Sequence, residues 1–143
     1  EGGLDVESNF SALKSFVKEL SAAGIRTSLF ITPELKQLEA CANIDAPVIE
    51  LHVGRFCEAS KTNKLDEFKK IIKATEAAES LGLECHAGHG LTFKTVSEIA
   101  RIPNIVELNI GHFLIGESIF MGLSNSIKNM KKLIDKSRAG AKI

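Results

Sequence analysis

Apolar positions along this chain recur with two periods that take turns. In SALKSFVKELSAAG, residues 11–24, Leu13, Phe16, Val17 and Leu20 share one helical face, and Gly24 stands where a helix stops. IRTSLFI is a short β-rich run. TPELKQLEACANI then predicts a helix with Thr32 as N-cap and Pro33 at its first position. PVIELHV predicts a second strand, and after a loop KLDEFKKIIKATEAAESLG predicts a long amphipathic helix ending at Gly82. LECHAG reads as a third strand, TFKTVSEIARI as a short helix with Thr92 as N-cap, and NIVELNIGH as a fourth strand. The final stretch, FLIGESIFMGLSNSIKNMKKLIDKSR, reads as a short helix, Gly122 and a longer helix.

Strands that alternate with helices of crossover length predict an α/β fold with parallel strands joined by right-handed connections. Two architectures fit, a doubly wound sheet and a (β/α)8 TIM barrel. Strand parity favours the barrel. Glu50 and His52 share a face with Val48, opposite Ile49, Leu51 and Val53. Glu107 and Asn109 lie opposite Val106, Leu108 and Ile110. Central strands of a doubly wound sheet are apolar on both faces, whereas a barrel interior meets an active site at the C-terminal ends of its strands. The polar positions gather at those ends: His52, His89, Asn109 and His112. Eight strands need roughly 250 residues, and this chain has 143. The expectation is therefore a single unit over 1–143, the C-terminal half of a TIM barrel from helix 4 through helix 8, supplying the last four strands and their helices.

Composition narrows the partners. Eighteen Lys and Arg balance eighteen Asp and Glu, which leaves no basic field for nucleic acid. No apolar run approaches the ~18 residues of a membrane span. The opening EGGLDVESNF is too acidic for a signal peptide, and without an initiator Met it reads as the start of a processed or partial product. Cys41, Cys57 and Cys85 form no CxxC pair, which disfavours a disulfide scaffold or zinc site and points to a reducing cytoplasm.

Two loops carry candidate chemistry. In AGHGLT, His89 lies between two glycines at a strand exit, where an imidazole suits proton transfer and Gly90 leaves room and offers an N–H. A surface histidine in a glycine turn is the plainer alternative. In IGHFLIG, Gly111 and His112 pass from a strand into a helix whose N-terminus suits a phosphate, though glycines are frequent in such turns anyway. His86 still lies on its strand and reads as structural. Glu50 and His52 are either a buried ion pair or a substrate-recognition pair. A metal site is disfavoured, since no HExxH or carboxylate cluster accompanies the four histidines.

EGGLDV, the AGI and SLFI segments, IELH, AGHGLT and ELNIGH occur in the order and spacing of the pyridoxine 5′-phosphate synthase (PdxJ) family, which the whole chain resembles. The resemblance implies a (β/α)8 barrel, a homo-octamer in the cytoplasm, and condensation of 1-deoxy-D-xylulose 5-phosphate with 3-amino-2-oxopropyl phosphate, with no metal or organic cofactor. It implies that His89 is a proton donor, Gly90 a substrate contact, Gly111 and His112 a phosphate-binding pair, and Glu50 a contact to the sugar phosphate. It likens Glu1 to Gly3 to the end of a mobile loop over the site. The family's other acid/base residues and an arginine-bearing phosphate loop would come from the barrel's first half. Another phosphate-binding barrel enzyme acting on a sugar phosphate, or a non-enzymatic phosphate-binding α/β module, remain the alternatives.

Overall fold

A computed structural model describes residues 2–140, so Glu1 and residues 141–143 lie outside the described residues. The elements run α1 (Phe10–Ala22), β1 (Ser28–Ile31), α2 (Leu35–Asn43), β2 (Val48–His52), α3 (Gly54–Glu58), α4 (Lys64–Ser80), β3 (Glu84–Gly88), α5 (Val96–Ala100), β4 (Ile105–Asn109), α6 (His112–Met121) and α7 (Leu123–Gly140). All four strands are parallel and lie side by side in chain order, β1-β2-β3-β4. A doubly wound sheet reverses its strand order at a switch point; this sheet does not. Right-handed crossovers between sequential neighbours place every connecting helix on one face. The core lies there, where Ile31, Ile49, Leu51, Cys85, Ala87 and Ile105 meet Leu38, Phe56, Ile71, Ala78 and Ile99. The other face is polar: Ser28, Glu84, Glu107 and Asn109 are exposed on it.

Several local readings shift. The helix predicted from Thr32 begins at Leu35, with Glu34 as N-cap in an extended conformation. The N-terminal segment explains the delay. It presses on the chain at Ile31–Thr32, where a Cβ on Gly3 would come within 2.5 Å of the Thr32 nitrogen. It also engages Gln37, whose buried amide oxygen takes the Val6 N–H at 2.7 Å. Thr92 does not cap α5. It forms a polar turn in which Thr95 Oγ1 accepts the Thr92 N–H at 2.9 Å, and Thr95 becomes the N-cap. Phe16 is 58% exposed although Val17 beside it is buried, because the stripe's centre runs through Val17 and leaves Phe16 at its rim. The 54–63 loop contains the one-turn helix α3. A register shift between Cys85 and His86 leaves Val106 as an extra residue in β4, 62% exposed rather than in the core with Leu108 and Ile110.

Arg138 fastens α7 beneath the sheet. Its Nη1 donates to the Ile102 carbonyl at 3.0 Å and its Nη2 to the Ile105 carbonyl, holding the entry to β4. Charge-assisted bonds of this kind contribute about 1.5–3 kcal/mol. Arg138→Ala is therefore expected to lower the thermal midpoint by several degrees, measured by circular dichroism, while leaving the helix content intact.

Candidate active site

Glu50, His89, Gly90, Gly111 and His112 line one cleft of about 1020 Å³, together with Phe30, Leu91, Thr92, Asn109, Ile110 and Phe113. The parallel strands bring them together. Strand pairing sets His52 beside Gly88 and Gly88 beside Asn109, so the exits of β2, β3 and β4 open at one level. The cleft forms at that level because every strand reaches its C-terminal end on the same side of the sheet.

The centre of the cleft depends on a missing side chain. Asn109 Nδ2 donates to Glu50 Oε2 at 2.8 Å, and the Glu50 carboxylate lies over Gly88 to reach it. A Cβ at Gly88 would overlap Glu50 Oε1. Glu50 thus turns to Asn109, while the His52 ring packs against Phe30 and His89. The sequence places Asn109 on the polar face of its strand, but its bond to Glu50 depends on the sheet register.

His89 follows β3 directly with φ +71, the left-handed region where a non-glycine residue costs on the order of 1 kcal/mol. Its surroundings hold it there. The Cys57 thiol donates to the His89 carbonyl across 3.9 Å. The His52 ring stacks on its ring with centroids 4.4 Å apart and planes 26° from parallel, and Phe30 leans on both histidines at 5.2 and 6.4 Å. Gly90 continues the left-handed turn with φ +78, and a Cβ there would come within 3.3 Å of the Gly54 Cα. An imidazole presented this way is fixed at the cleft wall, half-buried.

Gly111 is the N-cap of α6 and His112 its first residue. The first-turn N–H groups of a helix have no partner within it, no acidic side chain occupies this first turn, and the space above Gly111 is open. Phe113 packs edge-on against Phe93 at 4.8 Å, tying this corner to the loop that follows His89.

His86 lies deeper on the same polar face, between carboxylates. Its Nε2 is 2.7 Å from Glu84 Oε1 and its Nδ1 is 3.3 Å from Glu107 Oε1. Arg26 pairs with the other Glu84 oxygen at 2.6 Å. Hydrogen bonds from Arg26, and then from His86, hold the Glu84 carboxyl below its ordinary value. A carboxyl depressed on folding adds stability above its unfolded pKa, and that contribution is lost as pH falls through the depressed value. Arg26→Ala should accordingly move the Glu84 titration upward, read by carboxyl NMR, with the acid limb of the unfolding curve starting at higher pH.

Burial pushes the Cys41 and Cys85 thiols up to about 12, so neither is poised as a nucleophile. Among the described residues, no group of three or more His, Cys, Asp or Glu side chains is arranged to hold a metal ion. No helix among them is long and apolar enough to cross a membrane.

Comparison with known proteins adds an independent line. The family model described as "Pyridoxal phosphate biosynthesis protein PdxJ" matches residues 1–136. The chain is 50% identical over 141 residues to a pyridoxine 5′-phosphate synthase of Rhodospirillum rubrum, covering 98% of this chain and 57% of that protein. It is 50% identical over 143 residues to the synthase of Zymomonas mobilis, covering 100% and 56%. Against the synthase of Bradyrhizobium diazoefficiens the identity is 45% over 145 residues, covering 99% and 58%. The chain thus spans a little over half the length of these curated relatives.

Proposed function

The chain belongs to the PdxJ family of pyridoxal phosphate biosynthesis proteins, and from that premise we propose that it is the C-terminal part of a pyridoxine 5′-phosphate synthase. The protein would join 1-deoxy-D-xylulose 5-phosphate to 3-amino-2-oxopropyl phosphate and release phosphate and water. The observation that carries this reading is the convergence of Glu50, His89, Gly90, Gly111 and His112 on one cleft at the strand exits.

The proposed architecture is a TIM barrel to which this chain contributes the last four strands. Sequential parallel order and a polar open face suit the inner wall of a barrel. Backbone before β1 already lies along that strand's outer edge, where the Leu4 N–H donates to the Phe30 carbonyl at 2.7 Å. Assembly as a homo-octamer is what the family resemblance implies, and a cytoplasmic location is the reading that the cysteine usage favours.

In the proposed mechanism His89 donates a proton to the departing oxygen. Condensation of a ketone with an amine and the following dehydrations are proton transfers, which a positioned imidazole can serve. Glu50, fixed by Asn109, contacts the sugar phosphate and answers positive charge developing on the substrate nitrogen. Gly90, Gly111 and His112 bind substrate through backbone N–H groups and the His112 ring, with a phosphate at the α6 N-terminus. No group on this chain has to form a covalent intermediate.

Mixing the full-length protein with both substrates should yield pyridoxine 5′-phosphate and inorganic phosphate in equal amounts, read by mass spectrometry. Turnover of a sugar phosphate without the amino ketone would instead favour an isomerase or aldolase on the same scaffold. Gly88→Ala tests the cleft's centre. The new methyl displaces the Glu50 carboxylate from Asn109, and kcat/KM should fall about ten- to a hundredfold, the loss of one placed polar contact at 1.4 kcal/mol per factor of ten.

A further inference from the structure

His52 is the one histidine at the strand exits that the proposed mechanism leaves unused. It ends β2 on the polar face and pairs in register with Gly88, one residue before His89. Gly54, the first residue of α3, donates its N–H to His52 Nδ1 at 3.3 Å. A first-turn N–H has no partner within its helix, so the imidazole supplies the acceptor, and the bond fixes the ring's orientation. In the neutral ring an accepting Nδ1 leaves the proton on Nε2. The oriented ring then lies against the His89 ring, 4.4 Å between centroids. Gly54 is the floor beneath both. A Cβ on it would come within 2.6 Å of His52 Cε1 and within 2.6 Å of His89 Cδ2. Both rings therefore rest on a single backbone position.

We propose that His52 is a positioning residue for His89: its ring, aimed by the Gly54 N–H, is the surface that holds the His89 imidazole toward the cleft. His89 gains from such support, since its backbone takes a left-handed conformation that is costly for a residue with a side chain. The role follows from stacking and orientation and requires no contact between His52 and substrate. It rests on the reading of His89 as proton donor.

The test uses the full-length protein with both substrates, comparing wild type with His52→Leu, His52→Asn, His52→Gln and His89→Ala. Asparagine places an amide oxygen where Nδ1 accepts and keeps a flat group beside His89; leucine offers no acceptor, and glutamine reaches past that point. A misaimed catalytic group costs about a hundredfold. His52→Leu and His52→Gln should therefore lose about a hundredfold in kcat with KM within threefold, and His52→Asn should stay within about tenfold of wild type. Without substrate, the His89 ring-proton resonances should be displaced by stacking in the wild type and move toward those of free histidine in His52→Leu. Equal kcat in the asparagine and glutamine variants, or a raised KM at unchanged kcat, would overturn the positioning role. Full activity in His89→Ala would overturn the proton-donor reading, whereas loss there with wild-type kcat in His52→Leu would overturn this inference alone.

Discussion

Replacing His89 by alanine is expected to lower kcat of the full-length protein by ~10²–10⁴-fold, the range by which a positioned general acid accelerates proton transfer. On the proposed roles the loss should be in kcat with little change in KM, because the other cleft groups would hold substrate while the imidazole would act as the leaving oxygen departs. Removing the half-buried ring opens the face of His52 and leaves the backbone turn in place, so the fold should tolerate the change. A thermal midpoint within a few degrees of wild type would show that the lost rate is chemical. Kinetics at saturating concentrations of both substrates measure the effect, and a variant within threefold of wild type would remove His89 from the mechanism.

The largest expected effect on stability is at Phe56. It is 1% exposed, packs against Phe68 with ring centroids 5.5 Å apart, and carries the Lys64 ammonium 4.8 Å above its ring. Phe56→Ala removes the side chain that ties α3 to α4 and leaves a cavity, at about 3–5 kcal/mol. At 2–4 °C per kcal/mol this is a fall of roughly 6–20 °C in Tm. Because α3 begins at Gly54, the floor under His52 and His89, activity in the variant should decay on warming before global unfolding. Parallel thermal melts and activity assays on the full-length protein would show the two curves separating; coincident curves would mean that α3 unfolds only with the whole domain.

Element order was readable from the chain because amphipathic period and strand alternation are local properties. The helix-ending glycines are an example, since Gly24 and Gly82 take φ +74 and +71 behind α1 and α4. Element starts were less readable. Thr32 and Thr92 both look like N-caps, yet the helix after each begins later, because the N-terminal segment packs on Thr32 and Thr95 captures the Thr92 N–H. Val106 left the core through a register shift that strand parity alone does not reveal. At the site, glycine-flanked His89 and the Gly111–His112 turn stood out by residue type and family resemblance. The Glu50–Asn109 bridge and the His52–His89 stack did not, since each joins residues of different strands or loops. One faint signal existed: Gly88 has no side chain where its strand neighbours carry His52 and Asn109, and the space it leaves is taken by the Glu50 carboxylate.

The decisive measurement is a structure of the full-length protein bound to 3-amino-2-oxopropyl phosphate. The phosphate is expected on the N–H groups at Gly111 and His112, with the His89 ring facing the ligand within the same cleft. A ligand bound elsewhere, with this cleft empty and His89 turned from it, would refute the proposed site.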